Sequence, residues 1–202
     1  MSPVSALSSY LARPVPRRAP FVAHLGRLAA FLFALEVVTG VLLAFYYRPT
    51  PAEAFDSVRV ATNHAAFGWF VRGVHRVAAH GLVAVAGLAL CRAFFRRSFL
   101  DRFGAASWGV RATLVFVAVL LLLTGQMLPW TDAAYWRAVS ATSALAEIPF
   151  LGPWLADLVR GGATVGGATL VRLYALHALV LPGLALGGLL LARHLWHRRQ
   201  EP

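Results

Sequence analysis

Lysine is absent from this sequence, cysteine is nearly absent, and charged residues of either sign are scarce. Of the 202 residues, 13% are charged and 59% are apolar, whereas a soluble domain carries about 25% charged residues. Cys91 has no second cysteine to pair with, so a disulfide-stabilised secreted scaffold is excluded. The apolar content is too high for a disordered chain. The composition therefore indicates a membrane protein.

The positive charge comes entirely from 19 arginines and gives a formal net charge of +11. These arginines lie between long apolar runs, a distribution that reflects membrane topology rather than a nucleic-acid-binding face. Most of them lie in the N-terminal segment, the second connecting loop and the C-terminus, and those on the opposite side are diluted by acidic residues. The positive-inside rule predicts that both termini are cytoplasmic. No nucleic-acid partner is expected.

Four apolar stretches are long enough to cross a bilayer, which takes about 20 residues per helix. They are Leu28–Tyr47, Gly73–Phe95, Trp108–Leu128 and Leu170–Leu195. The loop before the last span contains two stretches typical of short amphipathic helices on the outer surface, Trp136–Leu145 and Pro153–Val159. We therefore expect an all-α membrane protein with a four-helix transmembrane bundle. Residues 1–20, rich in arginine and proline, are expected to form an irregular or interfacial lead-in to one domain at residues 21–199.

Two histidines lie inside the predicted spans, where ionisable residues are functional candidates. His75 and His177 fall at a similar depth near the outer ends of spans two and four, which run in the same direction. Two imidazoles facing each other across a helix bundle are suited to hold a haem iron. The alternative is a pair of hydrogen-bonded core histidines.

Glycine and arginine residues at the same outer level extend this candidate site. Gly40 in span one and Gly125 in span three would let a haem ring approach the backbone, although ordinary small-residue helix packing explains them as well. Arg72 is a candidate partner for a haem propionate. The alternative is that Arg72 faces lipid headgroups.

Short motifs distributed along the chain resemble one known family. They resemble the cytochrome b/b6 family, the haem-carrying core of cytochrome bc and b6f complexes, and most closely its short four-helix b6 form. The resemblance covers roughly residues 21–199. The motifs are Thr39-Gly40, Phe45-Tyr46-Tyr47-Arg48-Pro49-Thr50, Ala54-Phe55-x-Ser57-Val58, Phe67-Gly68-Trp69-x-x-Arg72-x-Val74-His75-Arg76, Thr124-Gly125-x-x-Leu128-Pro129-Trp130, Tyr135-Trp136, Ile148-Pro149-x-x-Gly152, Leu158-x-Arg160-Gly161, Thr169-Leu170-x-Arg172-x-Tyr174-x-Leu176-His177 and Val180-Leu181-Pro182.

The resemblance implies two haems stacked across the membrane, with the outer ligands at His75 and His177. The positions that match the inner ligands are Ala89 and Ala192, and neither can bind iron. Arg111 stands where the family has an inner-level glycine on span three. These three departures predict one haem b at the outer site and no inner haem.

The b6 form also carries a covalently tethered haem on a cysteine at the start of span one. The matching position here is His24, and Cys91 lies in the wrong span, so this haem is expected to be absent. His80 lies about 140° around a regular helix from His75, and His194 lies about 100° from His177. Structural or interfacial roles are favoured for both of these and for His24 and His197, while the role of His64 stays open.

Two polar residues depart from the family as well. Glu36 lies in the middle of span one, where the family usually has glutamine, and we expect it to be protonated or hydrogen-bonded. A structural polar contact is the preferred role for Glu36. Gln126 replaces a family tyrosine at the outer quinol pocket, so a quinone is a candidate ligand rather than an established one.

The family resemblance implies an electron-transfer function in a bacterial-type energy-transducing inner membrane. We expect a subunit of a quinol:acceptor oxidoreductase-type complex, with one haem relaying electrons between quinone and a periplasmic c-type cytochrome or iron–sulfur protein. Other membrane subunits, including a separate C-terminal cytochrome b-type subunit, and lipids are the expected partners. The alternative is a haem-retaining membrane anchor without turnover of its own. A complete Q-cycle through two haems is the least favoured interpretation.

Overall fold

The computed structural model describes residues 24–100 and 104–198, and the predicted lead-in at residues 1–20 lies outside this range. Within the described part, the chain is helical and contains no strand. The elements are α1 (Leu25–Ala44), α2 (Ala54–Asn63), α3 (Gly68–Phe95), a 3-10 turn (Ser98–Leu100), α4 (Gly104–Gly125), α5 (Asp132–Ala146), α6 (Gly152–Arg160), α7 (Gly167–Ala175), a π turn (Leu176–Val180) and α8 (Leu181–Arg198).

Four helical segments are long and apolar enough to cross a membrane. They are Leu25–Ala44, Gly68–Phe95, Gly104–Gly125 and Gly167–Leu195, the last made of α7, the π turn and most of α8. This confirms the predicted all-α fold with four spans. Each helix begins a few residues before its predicted span, because the first helical turn need not be apolar. At α3 this first turn packs against α2, since an added Cβ on Gly68 would collide with the backbone of Ala61.

Three shorter helices lie in the connections on one side of the bundle, opposite the two ends of the described chain. The sequence predicts that this side is the outer one, and it is called the outer side below. The predicted helices between spans three and four are present as α5 and α6, and both are longer than predicted. Helix α2, between spans one and two, was not predicted. It buries Ala54, Ser57 and Ala61 on one face, with the spacing of an amphipathic helix. These small residues give a weak hydrophobic pattern, so the helix is not evident from the sequence.

The bundle is assembled from neighbouring antiparallel spans. Helix α1 packs on α3, and α4 packs on both α3 and α8. A buried cluster of Val117, Leu181 and Ala185 joins α4 to α8, and Phe33 of α1 packs against it. Many large apolar side chains on the outward faces are exposed, which suits contact with lipid tails. Examples are Phe31, Val77, Phe116 and Leu190.

Helix α6 is attached to the outer end of span four through its own C-terminal carbonyls. Thr169 Oγ1 donates a 2.7 Å hydrogen bond to the carbonyl of Arg160, and Arg172 donates to the carbonyl of Leu158. Both bonds satisfy carbonyls that the helix itself leaves unpaired. Gly161 ends the helix at φ +76°, and a Cβ there would lie 2.8 Å from Ala168. Several residues of the family-like motifs therefore have a structural role.

Tyr47 ties the end of span one to spans three and four. Its hydroxyl donates a 2.7 Å hydrogen bond to the carbonyl of Leu128, and its ring lies 5.1 Å from that of Tyr174. Burial raises the pKa of Tyr47, and nearby Tyr174 raises it further. The phenol is therefore a neutral donor at any physiological pH. Tyr174 precedes His177 by three residues, so this contact lies about one helical turn from that histidine.

Candidate functional site

His75 and His177 meet inside the bundle, as their predicted depths require. His75 lies in the second turn of α3, and His177 lies in the π turn between α7 and α8. Their ring centroids are 6.3 Å apart, and the ring planes are inclined at 75°. Both side chains are partly buried. The structure thus brings together the two residues that the sequence singled out as an axial pair.

The π turn around His177 is a local departure from regular helix that the sequence analysis did not predict. The backbone N–H of Leu181 bonds to the carbonyl of Leu176, five residues earlier. Pro182 follows immediately and has no N–H to donate, so an uninterrupted α-helical ladder cannot form here. Single π turns of this kind are frequent at functional sites. Pro182 was the sequence signal that could have revealed the turn.

Thr39 of α1 fixes the orientation of the His75 ring. The Thr39 hydroxyl donates its proton to the carbonyl of Leu35 at 2.7 Å. Its oxygen must therefore accept the 2.9 Å hydrogen bond that it shares with His75 Nδ1. In neutral His75 the proton then sits on Nδ1. This leaves Nε2 with a free lone pair, which is the form that binds metals.

Thr124 of α4 holds His177 in the same way. Its hydroxyl donates to the carbonyl of Leu120 at 2.7 Å, and its oxygen lies 3.1 Å from His177 Nδ1. Because the hydroxyl proton of Thr124 is donated to Leu120, the Thr124 oxygen must accept from His177 Nδ1. Neutral His177 therefore carries its proton on Nδ1 and offers Nε2 as a ligand. Neither threonine was expected to have this role from the sequence, although the repeated Thr-Gly pair was a signal that could have revealed both residues.

Gly40 and Gly125 make room for the imidazoles themselves. A Cβ on Gly40 would lie 3.2 Å from His75 Cε1, and one on Gly125 would lie 2.7 Å from His177 Cε1. Real Cβ atoms essentially never approach as closely as the second of these distances. The expectation was that these glycines admit a cofactor ring. In the structure, their direct contact is with the histidine that the neighbouring helix presents.

The two imidazoles fit an iron atom whose other ligands come from a macrocycle. An atom bonded to both rings at about 2 Å per nitrogen, the usual imidazole–metal distance, places the ring centroids roughly 6 Å apart. The observed 6.3 Å agrees with this spacing. No group of three or more histidine, cysteine or acidic side chains able to hold a metal ion occurs among the described residues. Two ligands alone suit a haem better than a free metal ion.

Glu36 of α1 also contacts His75. Its Oε2 lies 3.0 Å from His75 Nδ1, the same ring nitrogen that pairs with Thr39. The other carboxyl oxygen, Oε1, is buried and has no hydrogen-bond partner. The carboxyl group of Glu36 therefore lies against a residue of the candidate site itself. This contact was not expected from the sequence.

Arg72 lies at the outer rim of the site. It is exposed, and its Nη1 donates a 3.4 Å hydrogen bond to Thr62 Oγ1 of α2. It precedes His75 by three residues, so the two side chains emerge from neighbouring positions on one side of α3. The structure places Arg72 near the outer end of the bundle and leaves it accessible to an anionic group.

The positions that match the inner ligands hold alanine on both helices. Ala89 follows His75 by 14 residues, and Ala192 follows His177 by 15. The π turn contains about one more residue than a regular helical turn. The angle around the helix from His177 to Ala192 is therefore nearly the same as the angle from His75 to Ala89. Deeper along the interface of α4 and α8, a Cβ on Gly188 would lie 2.8 Å from Leu114. The two helices are therefore in close contact one turn from the inner level.

The other histidines lie away from the outer site. His80 is exposed, and its Nδ1 donates to the carbonyl of Arg76 at 2.7 Å. His194 is also exposed and accepts a hydrogen bond from Arg198. Because of the π turn, His194 lies about 160° around the helix from His177, instead of the about 100° expected for a regular helix. His24 contacts Arg27, and His64 is exposed at the end of α2.

A groove of about 340 Å³ lies between the outer end of α4 and helix α5. Gln126 and Met127 line it from one side, and Trp136 and Arg137 line it from the other. Its lining is mostly apolar, with a few polar groups that could orient a ligand. The groove is on the same outer side as the histidine pair, and it contains the glutamine that replaces a family tyrosine.

Comparisons with known proteins agree with this architecture. The family model described as Cytochrome b/b6/petB matches residues 11–200. Cytochrome b6 of Picosynechococcus sp. is 37% identical over 176 residues, which are 87% of this chain and 78% of that protein. Cytochrome b6 of Tupiella akineta is 38% identical over 176 residues, covering 87% of this chain and 81% of that protein.

A solved structure shares the fold. A chain of a hyperthermophilic respiratory Complex III superposes with a TM-score of 0.75 and 28% sequence identity. The match covers 90% of this chain and 48% of that chain. The protein therefore spans about half the length of the solved chain that it matches.

Proposed function

The chain belongs to the cytochrome b/b6 family, and on that premise we propose that it is a one-haem subunit of a quinol-oxidising electron-transfer complex. His75 and His177 are the axial ligands of one haem b near the outer membrane surface. Gly40 and Gly125 leave the space that these ligands occupy. Arg72 is the candidate partner of a haem propionate.

The observation that carries this proposal is the way the two imidazoles are held. Each Nδ1 is paired with a threonine of the neighbouring span, at 2.9 Å for His75 and 3.1 Å for His177. Each Nε2 is left with the lone pair that iron requires. A pair of core histidines that merely satisfied each other would instead bond ring to ring. Here both rings are oriented by threonines and remain free to bind a third group.

The protein's contribution is to position the cofactor and shield it from water. The bound haem supplies one-electron chemistry. His75 and His177 fix its location across spans two and four, and Thr39 and Thr124 prevent the ligands from rotating. The contact between Tyr47 and Tyr174 lies about one helical turn from His177. A rigid and partly dry site of this kind suits a group that only accepts and releases an electron.

The inner half of the bundle supports a count of one haem. Ala89 and Ala192 offer methyl groups at the inner ligand positions, and Arg111 replaces the family glycine. The contact of Gly188 with Leu114 brings α4 and α8 together next to this level. A core about 30 Å thick cannot be crossed through one haem. On this proposal, electrons stay near the outer surface, and a Q-cycle through this chain alone does not operate.

The proposed position of the haem indicates where a quinone and protein partners would bind. The groove beside Gln126 is a candidate site for a quinone head group. The electron acceptor would be a periplasmic c-type cytochrome or iron–sulfur protein at the outer surface. Other membrane subunits, including a separate C-terminal cytochrome b-type subunit, and lipids would cover the exposed apolar faces. This arrangement keeps the predicted orientation, with both termini in the cytoplasm.

The haem content of the purified complex tests the proposal. We expect the pyridine haemochrome assay to give one non-covalent haem b per chain, because only one pair of ligands is present. Two haems per chain would contradict the inner-site argument, and none would contradict the axial-ligand assignment. Rapid mixing with a reduced quinol then tests electron transfer. A haem that neither quinol nor a periplasmic partner reduces on the timescale of turnover would favour the membrane-anchor alternative.

A further inference from the structure

The last turn of α4 takes part in two sites. Thr124 and Gly125 contact His177 on one side, and Leu123 and Gln126 line the groove beside α5. Because these four residues are consecutive, the groove adjoins the helical turn that holds one ligand of the proposed haem. An electron carrier bound in the groove would therefore lie beside that haem.

Helix α5 presents one face to the bundle and a neighbouring face to the groove. It buries Ala134, Ala138 and Thr142 against the rest of the protein. The face on the groove consists of Ala133, Trp136, Arg137, Ser140 and Ala141. These positions recur at intervals of three or four residues, which is the spacing of one side of a helix. The groove thus combines a planar aromatic side chain, small residues and one cation.

We propose that Arg137 is the specificity-determining residue of this groove, and that it makes the groove bind an oxidised quinone more tightly than the corresponding quinol. The inference rests on the proposed function, in which the groove holds a quinone head group. In this assignment, Trp136 covers one face of the quinone ring. Arg137 donates a hydrogen bond to one of the carbonyl oxygens.

The preference follows from what each form of the ligand needs. Arginine has five N–H donors and no acceptor, and it stays charged at physiological pH. A quinone carbonyl only accepts, and a hydrogen bond from a cation is roughly twice as strong as a neutral one. A quinol hydroxyl also needs an acceptor for its own proton, which Arg137 cannot provide. The amide of Gln126 both donates and accepts, so it should serve the two forms about equally.

The guanidinium of Arg137 is accessible to such a ligand. The residue is exposed in the wall of the groove. Among residues 24–100 and 104–198, no acidic side chain forms an ion pair with it. Arg160 of α6 shows the contrasting case, because its Nε donates a 3.0 Å hydrogen bond to Thr142 of α5. Arg160 thus joins two helices, whereas Arg137 lines a groove.

The preference has a defined effect on electron transfer. A site that binds quinone ten times more tightly than quinol lowers the midpoint potential of the bound two-electron couple by about 30 mV. A quinol bound in the groove is then a stronger reductant than a quinol in the membrane. Arg137 therefore favours oxidation of quinol by stabilising its product.

Rapid mixing of the purified complex, in quinone-free lipid nanodiscs, with decylbenzoquinol tests this inference. The dependence of haem reduction on quinol concentration gives the Kd of the quinol, and competition by decylbenzoquinone gives the inhibition constant of the quinone. In the wild type, the inhibition constant should be at least fivefold lower than the Kd. Arg137→Gln should raise the inhibition constant at least fivefold and leave the Kd of the quinol within twofold. An unchanged inhibition constant would overturn the inference.

Two control variants separate selectivity from general effects. Gln126→Leu should weaken the binding of both forms by similar factors. Arg59→Gln removes an equal charge from α2, where Arg59 pairs with Asp56 outside the groove, and should change neither constant. Equal losses of quinone and quinol affinity in Arg137→Gln would show that Arg137 does not discriminate between them, and would also overturn the inference.

The remaining outcomes are distinguishable by haem content and haem reduction. If Arg137→Gln loses haem, Arg137→Met provides the test, because it keeps a long side chain without donors and should give the same rise in the inhibition constant. Quinol that reduces the haem equally well in Gln126→Leu and Arg137→Gln, with both constants at wild-type values, binds outside the groove. That result would overturn the inference and leave the proposed function intact. A wild-type haem that quinol does not reduce would overturn both.

Discussion

Thr39 and Thr124 hold the two intramembrane histidines by the same pair of hydrogen bonds. Each hydroxyl donates to the carbonyl four residues before it, and each oxygen accepts from an imidazole Nδ1 on the next span. Each threonine is followed by a glycine over which that imidazole lies. The site is therefore built from two similar contacts rather than from one irregular cluster, and its parts can be tested in matched pairs.

Removal of a ligand should abolish haem binding. We expect His177→Ala to lose the b-type absorption spectrum, because His75 alone cannot provide a bis-imidazole site. The measurement is the haemochrome content of the purified variant. His80→Ala is the matched control, since His80 is an exposed histidine on the same helix as His75. An unchanged low-spin spectrum in His177→Ala would contradict the ligand assignment.

The two glycines should differ in their tolerance of alanine. A Cβ at position 125 would lie 2.7 Å from its imidazole, whereas one at position 40 would lie 3.2 Å away. Gly125→Ala should therefore displace His177 and lower haem occupancy several-fold, while Gly40→Ala should have a smaller effect. Gly73→Ala, where nothing lies within 4 Å of the added atom, serves as the control. Equal occupancy in all three variants would argue against close packing at the site.

The two threonines should also differ, because a second oxygen, Glu36 Oε2, lies 3.0 Å from His75 Nδ1. Thr124→Val removes the side-chain acceptor of His177, and loss of such an outer-shell partner typically weakens metal binding about 10–100-fold. Thr39→Val leaves this carboxyl oxygen within reach of His75 Nδ1 and should weaken binding less. Haem retention during a competition assay with apomyoglobin measures both effects. A greater loss of haem in Thr39→Val than in Thr124→Val would contradict this ordering.

Neutralising Arg72 should stabilise the ferric state if its guanidinium pairs with a propionate. We expect Arg72→Gln to lower the haem midpoint potential, since a positive charge near the cofactor favours the added electron. Redox titration in nanodiscs is the measurement. Arg76→Gln removes an equal charge from the same helix, one residue beyond His75, and should have a smaller effect. Identical shifts in the two variants would show that Arg72 contributes only to the general field of the surface.

Tyr47 should matter for stability through its hydroxyl. Tyr47→Phe leaves the carbonyl of Leu128 without its 2.7 Å hydrogen bond, and the loss of one such bond costs about 1 kcal/mol. We expect a lower thermal unfolding midpoint in detergent, measured by intrinsic fluorescence. Tyr46→Phe is the control at the adjacent, exposed tyrosine. A drop of equal size in both variants would contradict a specific role for Tyr47.

Much of the architecture could be predicted because apolar length and arginine placement are set by the bilayer itself. The four spans, the two outer helices α5 and α6 and the pairing of His75 with His177 all follow from depth along a helix. Contacts that depend on how each helix is rotated about its axis, and on its offset relative to the neighbouring helix, could not be predicted in this way. The meeting of Glu36 with His75 requires two helices to present particular faces, and the apolar periodicity of a membrane span does not define a face.

The π turn illustrates the same limit. The angle around the helix axis between two residues is calculated from the sequence by assuming a regular α-helix. The extra residue in Leu176–Val180 changes this angle for every pair of residues on opposite sides of the π turn. The position of His194 was affected for this reason. Helix α2 was missed for a different one, since its buried face consists of Ala54, Ser57 and Ala61, whose side chains are too small to give a strong hydrophobic pattern.

The pairing of each threonine with the next span has a consequence for biogenesis. Span one holds the imidazole of span two, and span three holds that of span four, so each consecutive hairpin contains a complete half-site. Because the chain is synthesised from its N-terminus, the first half-site can form before the second has left the ribosome. The cofactor would then link two helical hairpins that have already formed. In that sequence of events, the ligands are already oriented when haem arrives, and its insertion requires only that the hairpins come together.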